Sequence, residues 1–521
     1  MNLVLPVLVW LCAGLPAAGP FFRRRRWALG LAVAPFAGCL SLTGPWIASA
    51  LTGMSVDGWW WLAEAMVVSA GLGGLVELLN HVLPGPRTTG EGVVSPTPHK
   101  RIDPTDPTDK ARGAVNVILI VVSAAIMLAA AAVYFYGGVI FTSGVPPFGW
   151  DAYAQWLLVA KVLADSPSFP RELFVPGGQW EYPLALPALL ACFRRFGPMS
   201  LHQLAFVSGA VAALLPLATW LGSYRRLGPM WAALVALAPF AVGKFLIMQY
   251  GVYADPMLAM AGLAGMVFAA IGIRDQDRLY LLAGAIALGT CAALKNEGVV
   301  WALSCGLMLG LYSLSRGLGW KRAICLPAGA GAIGVVFFAA WWAVCRSLGL
   351  ENDILAAGSL STIVPRLGIV LPGVARQLAT GEWQADINRF SMFAQNLAVR
   401  EYPQGCSESA ARWYVFKQFS DIVLWLPAMA AMPFLASGRV LRRLLSSLVL
   451  ISAPLAYCAG ICLVYLVTPK PLEWHMDTSL YRVLFVVPPA VVAAMALVRP
   501  APSEPLPAPS GAEQRSRDDK A

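Results

Sequence analysis

Runs of about 20 mostly apolar residues recur along nearly the whole 521-residue chain, and each is long enough to cross a bilayer core of roughly 30 Å as a single helix. A backbone in lipid has no water to pair with, so it must satisfy its own N–H and C=O groups, which selects α-helices. The sequence therefore predicts an all-α, polytopic membrane protein. Charged residues make up only 13% of the chain, against roughly 25% in a soluble one, which argues against a soluble domain carrying one anchor.

Hydropathy places about thirteen spans, at residues 2–20, 27–52, 59–83, 113–141, 201–222, 230–249, 255–273, 279–294, 296–315, 323–348, 421–437, 443–467 and 481–498. The first lacks a basic leader and is followed by Arg23–Arg26, so it reads as an uncleaved span with its N-terminus outside. With that start, every short cytoplasmic connection is basic: Arg23–Arg26, Arg225 and Arg226, Arg274 and Arg278, Arg316 with Lys321 and Arg322, and Arg439 with Arg442 and Arg443. This is the positive-inside pattern. Glu181–Phe196 is apolar but short and proline-bearing, and counting it as a span would move the later basic turns outside; it is expected to lie on the outer surface as an interfacial helix.

Residues 1–83 thus form three N-terminal spans, 84–112 a flexible cytoplasmic linker containing PGPRTTGEG and DPTDPTD, and 499–521 a disordered cytoplasmic tail. Two outer segments, 142–200 and 349–420, are too long for turns and are expected to carry ordered surface helices. The net charge of +10 is spread through the loops, with no basic helix or aromatic-basic stripe to hold nucleic acid. The ten cysteines show no CxxC pair and no His-Cys ligand spacing, and read as small hydrophobic residues.

Four groups of polar residues fall on the outer side of this topology. Asp151 opens DAYAQW; at 100° per residue it shares a stripe with Gln155 and Asp165, and it suits either a cavity-facing carboxylate or an N-cap. Asp255, in YADP at the start of a span, allows the same two readings. Lys295, Asn296 and Glu297 lie between two apolar runs, where ionisable groups pair with one another or face a water-filled cavity. Glu473, His475, Asp477 and Arg482 lie near the start of the last span, and the same face holds Lys161, Arg171, Glu172 and Glu181. Glu64, Glu77, Asn80 and His81 stand apart from these groups, as packing or linker contacts.

In their order, Asp151 after a span, YPLALP, YADP, LKNEG and a closing Arg-aromatic stretch resemble the GT-C glycosyltransferases. The likeness is to the branch similar to dolichyl-phosphate-mannose protein mannosyltransferases and lipid A aminoarabinose transferases. It covers 113–498 and leaves the first three spans unaccounted for. It implies an inverting transferase of the bacterial-type cell membrane that draws a sugar from a polyprenyl-phosphate donor at the non-cytoplasmic face and delivers it to a lipid, glycan or protein acceptor. Asp151 takes the position of the base and Asp255 that of a second outer aspartate; Asn296 and Glu297 depart from the Lys-Gly usual there.

The chemistry agrees with that outline. Departure of phosphate from an anomeric carbon needs cations at the leaving group, for which Lys295 and Arg482 are candidates, and a carboxylate to take the acceptor proton. Glu181, Tyr182, Glu297 and His475 are further candidates for substrate contact. No cofactor is indicated, though a divalent metal is compatible with these carboxylates, and no Gly-rich phosphate loop suggests a nucleotide donor. A lipid or solute transporter is the alternative. In a cysteine-free background, a single cysteine within 142–200 should react with an impermeant reagent from outside while one at position 225 stays protected; the reverse pattern overturns this topology.

Overall fold

The computed structural model describes residues 3–82, 107–144, 152–175, 180–241, 252–350, 370, 374, 440–467 and 480–497. Among these residues the regular structure is helical, apart from one isolated bridge between Ser55 and Ser168. Eight helices are long and apolar enough to cross a membrane. They are α1 (Val4–Arg23), α2 (Trp27–Thr52), α3 (Gly58–Val82), α4 (Pro107–Gly144), α7 (Leu201–Leu227), α9 (Ala254–Arg274), α11 (Glu297–Ser315) and α13 (Val440–Val467). A ninth, α12 (Trp320–Ser347), bends by 44° between Gly329 and Gly331. Shorter apolar helices occupy three other expected spans: α8 (Pro229–Leu237), α10 (Arg278–Leu294), and α14 (Leu480–Val483) running through a 3₁₀ turn into α15 (Val487–Leu497). The expected span 421–437, the C-terminal tail and most of 349–420 lie outside the described residues.

Large apolar side chains on the outside of the bundle agree with a lipid surrounding: Val67, Val121, Leu303, Leu307, Val336, Leu455 and Leu463 are all exposed. Trp27, Trp320, Trp59 and Trp60 are exposed near helix ends, where indole rings sit at the headgroup level.

Apolar side chains alone do not hold helices together in lipid, so close approach and interhelical hydrogen bonds decide the packing. In the α1–α2 hairpin, a Cβ on Gly14 would strike the backbone carbonyl of Ala34 and come within 2.7 Å of Gly38 N. Trp10 Nε1 donates to Pro35 O at 3.0 Å, and Ala17 N donates to Ser69 Oγ on α3 at 3.0 Å. The α9–α10 hairpin closes in the same way: a Cβ on Gly284 would meet Ala269 N at 2.7 Å. Helix α9 is buried throughout, between α7, α10, α11 and α15.

The three N-terminal helices are built into this bundle. Helix α2 packs on α6, α7 and α10 as well as on its own neighbours, and Thr290 of α10 donates to Phe36 O of α2 at 3.1 Å. Helix α4 starts at Pro107, so residues 107–112 of the expected linker are helical; proline fits the first position because its missing N–H is unneeded there.

Two features of the expected outer segment differ. Helix α6 (Ala185–Phe196) stays too short to span, but Ala185–Phe193 are buried under α5 (Leu158–Asp165) and against α2, so it is an internal helix and not one lying on a membrane surface. Residues Ala152–Leu157 form a π-helical turn, which closes i to i+5 and breaks the 100° register. Gln155 is accordingly buried while Asp165 is exposed, bound to Arg194 and Lys161 at 3.1 Å each. The Arg194 hydrogen bond holds the Asp165 carboxyl below the usual aspartate range.

Gly14→Ala should destabilise the detergent-solubilised protein by the roughly 1–3 kcal/mol typical of overpacking, and so lower its thermal midpoint. An unchanged midpoint would mean that α1 and α2 do not meet at this glycine.

Candidate functional site

Helix directions sort the charged residues into two ends. The turns after α1, α7 and α9 meet at one end, where Arg26 bonds Asp277 at 3.1 Å and Arg226 bonds Asp275 and Asp277 at 3.3 and 3.2 Å. Glu77 of α3 joins them through Arg23 and Arg24, at 2.7 Å each. Its placement apart from the outer groups agrees with the reading of the sequence.

At the opposite end, Asp255 in the first turn of α9 accepts from Lys295 Nζ at 2.8 Å, and Lys295 stands 3.2 Å from Glu297. Lys295 ends α10 in extended conformation, and Glu297 opens α11. Tyr253 and not Asp255 is the N-cap residue, so Asp255 stands inside the first turn of the helix. Arg482 of α14 lies over the Tyr253 ring, 5.0 Å from its centroid, within electrostatic reach of both Asp255 and Lys295. Residues separated by more than two hundred positions therefore converge.

The cluster is enclosed: Asp255, Lys295, Asn296 and Glu181 are each no more than 4% exposed. Tyr182 faces Lys295 at 6.0 Å and meets Trp156 edge-on at 5.6 Å. Trp341 of α12 donates to Glu181 O at 2.9 Å, fixing the strand of chain that carries both Glu181 and Tyr182. Phe169, Phe174 and Trp180 pack with Trp341 into an aromatic cover over this end. Below it, the side chain of Tyr457 on α13 donates to Val483 O at 2.9 Å, anchoring the start of the segment behind Arg482.

Two acceptor atoms of the cluster, Asn296 Oδ1 and Glu297 Oε2, are buried with no hydrogen-bond partner. Buried polar atoms are rarely left this way in native proteins, and in a cavity they are ready positions for a ligand that donates hydrogen bonds. Asp151 and His475 lie outside the described residues, as do Glu473 and Asp477. Among the described residues, no three His, Cys, Asp or Glu side chains converge as a metal site would need. The nine described cysteines are all free.

One residue of this end escaped the sequence. Arg195 of α6 donates to Ala164 O, Val56 O and Ser166 O at 3.0, 2.8 and 2.7 Å and rests against Trp61 and Trp46, joining the α2–α3 turn to the chain before the cover. Its signal was available: an arginine on the side that the positive-inside rule leaves poor in cations calls for a dedicated set of partners.

No family model matches this chain, and neither does any curated protein or solved structure.

Removing one member of a buried ion pair leaves the other charge stranded, at about 3–5 kcal/mol. Lys295→Ala and Asp255→Ala should thus lower the thermal midpoint more than Glu297→Gln, which retains an acceptor oxygen toward Lys295. Equal losses for Lys295→Ala and Glu297→Gln would instead make the Lys295–Glu297 contact the main bond.

Proposed function

We propose that the protein is a membrane glycosyltransferase that moves a sugar from a polyprenyl-phosphate donor to an acceptor hydroxyl. The site would work on the non-cytoplasmic face of a bacterial-type cell membrane, in envelope glycan or glycolipid synthesis. The observation that carries this reading is the convergence of Glu297 and Arg482 on the buried Asp255–Lys295 pair, at the end away from the arginine-rich turns. A GT-C-like arrangement of about thirteen spans belongs to the same proposal.

In the reaction, the bond between the anomeric carbon and the donor phosphate oxygen breaks, and its electron pair leaves with the phosphate. The acceptor oxygen bonds to the opposite face of that carbon and gives its proton to a base, the role the family resemblance assigns to Asp151. Arg482 presents a forked guanidinium suited to phosphate oxygens. Lys295 adds a second positive charge, held between Asp255 and Glu297. The ion pair also limits Asp255 as a base: its bond to Lys295 makes it first a holder of that cation. Asn296 Oδ1 and Glu297 Oε2 are acceptors available to sugar hydroxyls, which supports a polyhydroxyl ligand.

The bend in α12 favours a second reading, a lipid or solute transporter, since transporters commonly place binding sites on broken helices. Reconstituted protein that moves a lipid-linked sugar across the bilayer without forming a transfer product would support that reading.

Purified protein, supplied with polyprenyl-phosphate sugars and candidate acceptors, should release polyprenyl phosphate. Asp151→Asn should cut turnover by about 10²–10⁴, the usual cost of a lost general base, while leaving the amount of folded protein in the membrane unchanged. Arg482→Lys should weaken donor use more than acceptor use. Full activity of Asp151→Asn removes the base assignment, and unchanged donor kinetics in Arg482→Lys and Lys295→Ala removes the phosphate site.

A further inference from the structure

We infer that the arginine-rich end of the bundle holds the phosphate headgroup of an anionic membrane phospholipid. The site is an open pocket of about 420 Å³ lined by Arg26, Asn80, Arg226, Gln276 and Arg278 together with Asp275, Asp277 and Leu279. It lies where the α1–α2 turn, the end of α3, the end of α7 and the α9–α10 turn meet, far in the fold from the Asp255–Lys295 cluster.

Charge in the pocket is unevenly shared. The two carboxylates serve three of the arginines: Asp275 bonds Arg274 and Arg226, and Asp277 bonds Arg226 and Arg26. Among the described residues, no carboxylate pairs with Arg278. It donates one N–H to Asn80 O, while its Nε is buried and has no hydrogen-bond partner. A half-buried guanidinium that no described carboxylate pairs with, opening on a pocket of this size, is a site for an anion.

The three turns supply Arg23–Arg26, Arg225, Arg226, Arg274 and Arg278, and not one lysine. Orientation in a membrane requires only positive charge, which lysine provides equally well. Forked, always-charged donors are what phosphate oxygens select.

The surroundings decide in favour of a lipid over a free ion. Trp27, next to Arg26, is 62% exposed and lies tilted against Phe22 at 5.0 Å, as an indole at headgroup depth would. On α3, the helix that brings Asn80 to the pocket, Leu78 and Val82 in the last turns are 58% and 70% exposed, an apolar helix face at the same end of the bundle along which acyl chains can lie. A soluble phosphate would gain nothing from either feature.

Native mass spectrometry of the full chain, titrated with phosphatidylglycerol, phosphatidylcholine or inorganic phosphate, tests this. Phosphatidylglycerol should bind about fivefold or more tightly than phosphatidylcholine, the advantage one well-placed basic residue gives toward an anionic headgroup. Arg278→Gln should erase that preference and Arg278→Lys reduce it, while Arg316→Gln, in a basic turn elsewhere, should keep it. Equal binding of the two lipids by the unaltered chain overturns the site, as does a preference retained in Arg278→Gln. Inorganic phosphate binding as tightly as phosphatidylglycerol would overturn the lipid assignment. The comparison of lipids on the unaltered chain remains decisive even if Arg278→Gln does not fold.

Discussion

Helix α9 has no face open to solvent, so every polar group it carries must find its partner inside the protein, and the arrangement of the bundle follows from where those partners stand. At its start, Asp255 finds Lys295 at the far end of the next helix. At its end, Asp275 and Asp277 gather Arg226 from α7 and Arg26 from the first hairpin. The α9–α10 hairpin is thereby fastened at both ends by charges, and between them by small residues such as Gly284 that let the two backbones approach. Removing the Lys295–Asp255 fastening strands a charge in a place where rehydration is costly.

That double fastening also explains why the candidate site is so well defined. Lys295 is the cap of one helix and the counter-ion of another, and Glu297 begins a third, so three helix ends are set in position by one ammonium group. Arg482 arrives from the last segment, braced through Tyr253 and the Tyr457–Val483 bond. A site made at the junction of separate helix ends can be rigid without being filled, and unsatisfied acceptors such as Asn296 Oδ1 can persist there.

Much of this was legible in the sequence, because lipid imposes the spans and makes charges conspicuous. Lys295 and Asp255 stood out as ionisable residues beside apolar runs, and assigning sides from basic turns put them together. The choice of partner was not legible: Glu297 is two residues from Lys295, yet Asp255, 40 positions away, holds the shorter bond. Of the expected stripe, Gln155 and Asp165 part company after a π-helical turn, which no apolar periodicity announces. Nor did α2 betray its position; a helix apolar on all sides reads the same against lipid as against protein.

The place of α2 carries a consequence for how the chain is assembled. It leaves the ribosome before α7 and α10, and its contact through Phe36 O waits for Thr290, made 254 positions later. During synthesis the newly inserted α1–α2 pair must persist with one side of α2 bathed in lipid, until α7 and α10 arrive to replace those lipids. An all-round apolar α2 tolerates both environments, so the same uniformity that conceals its position in the sequence lets the growing chain wait for its own second half.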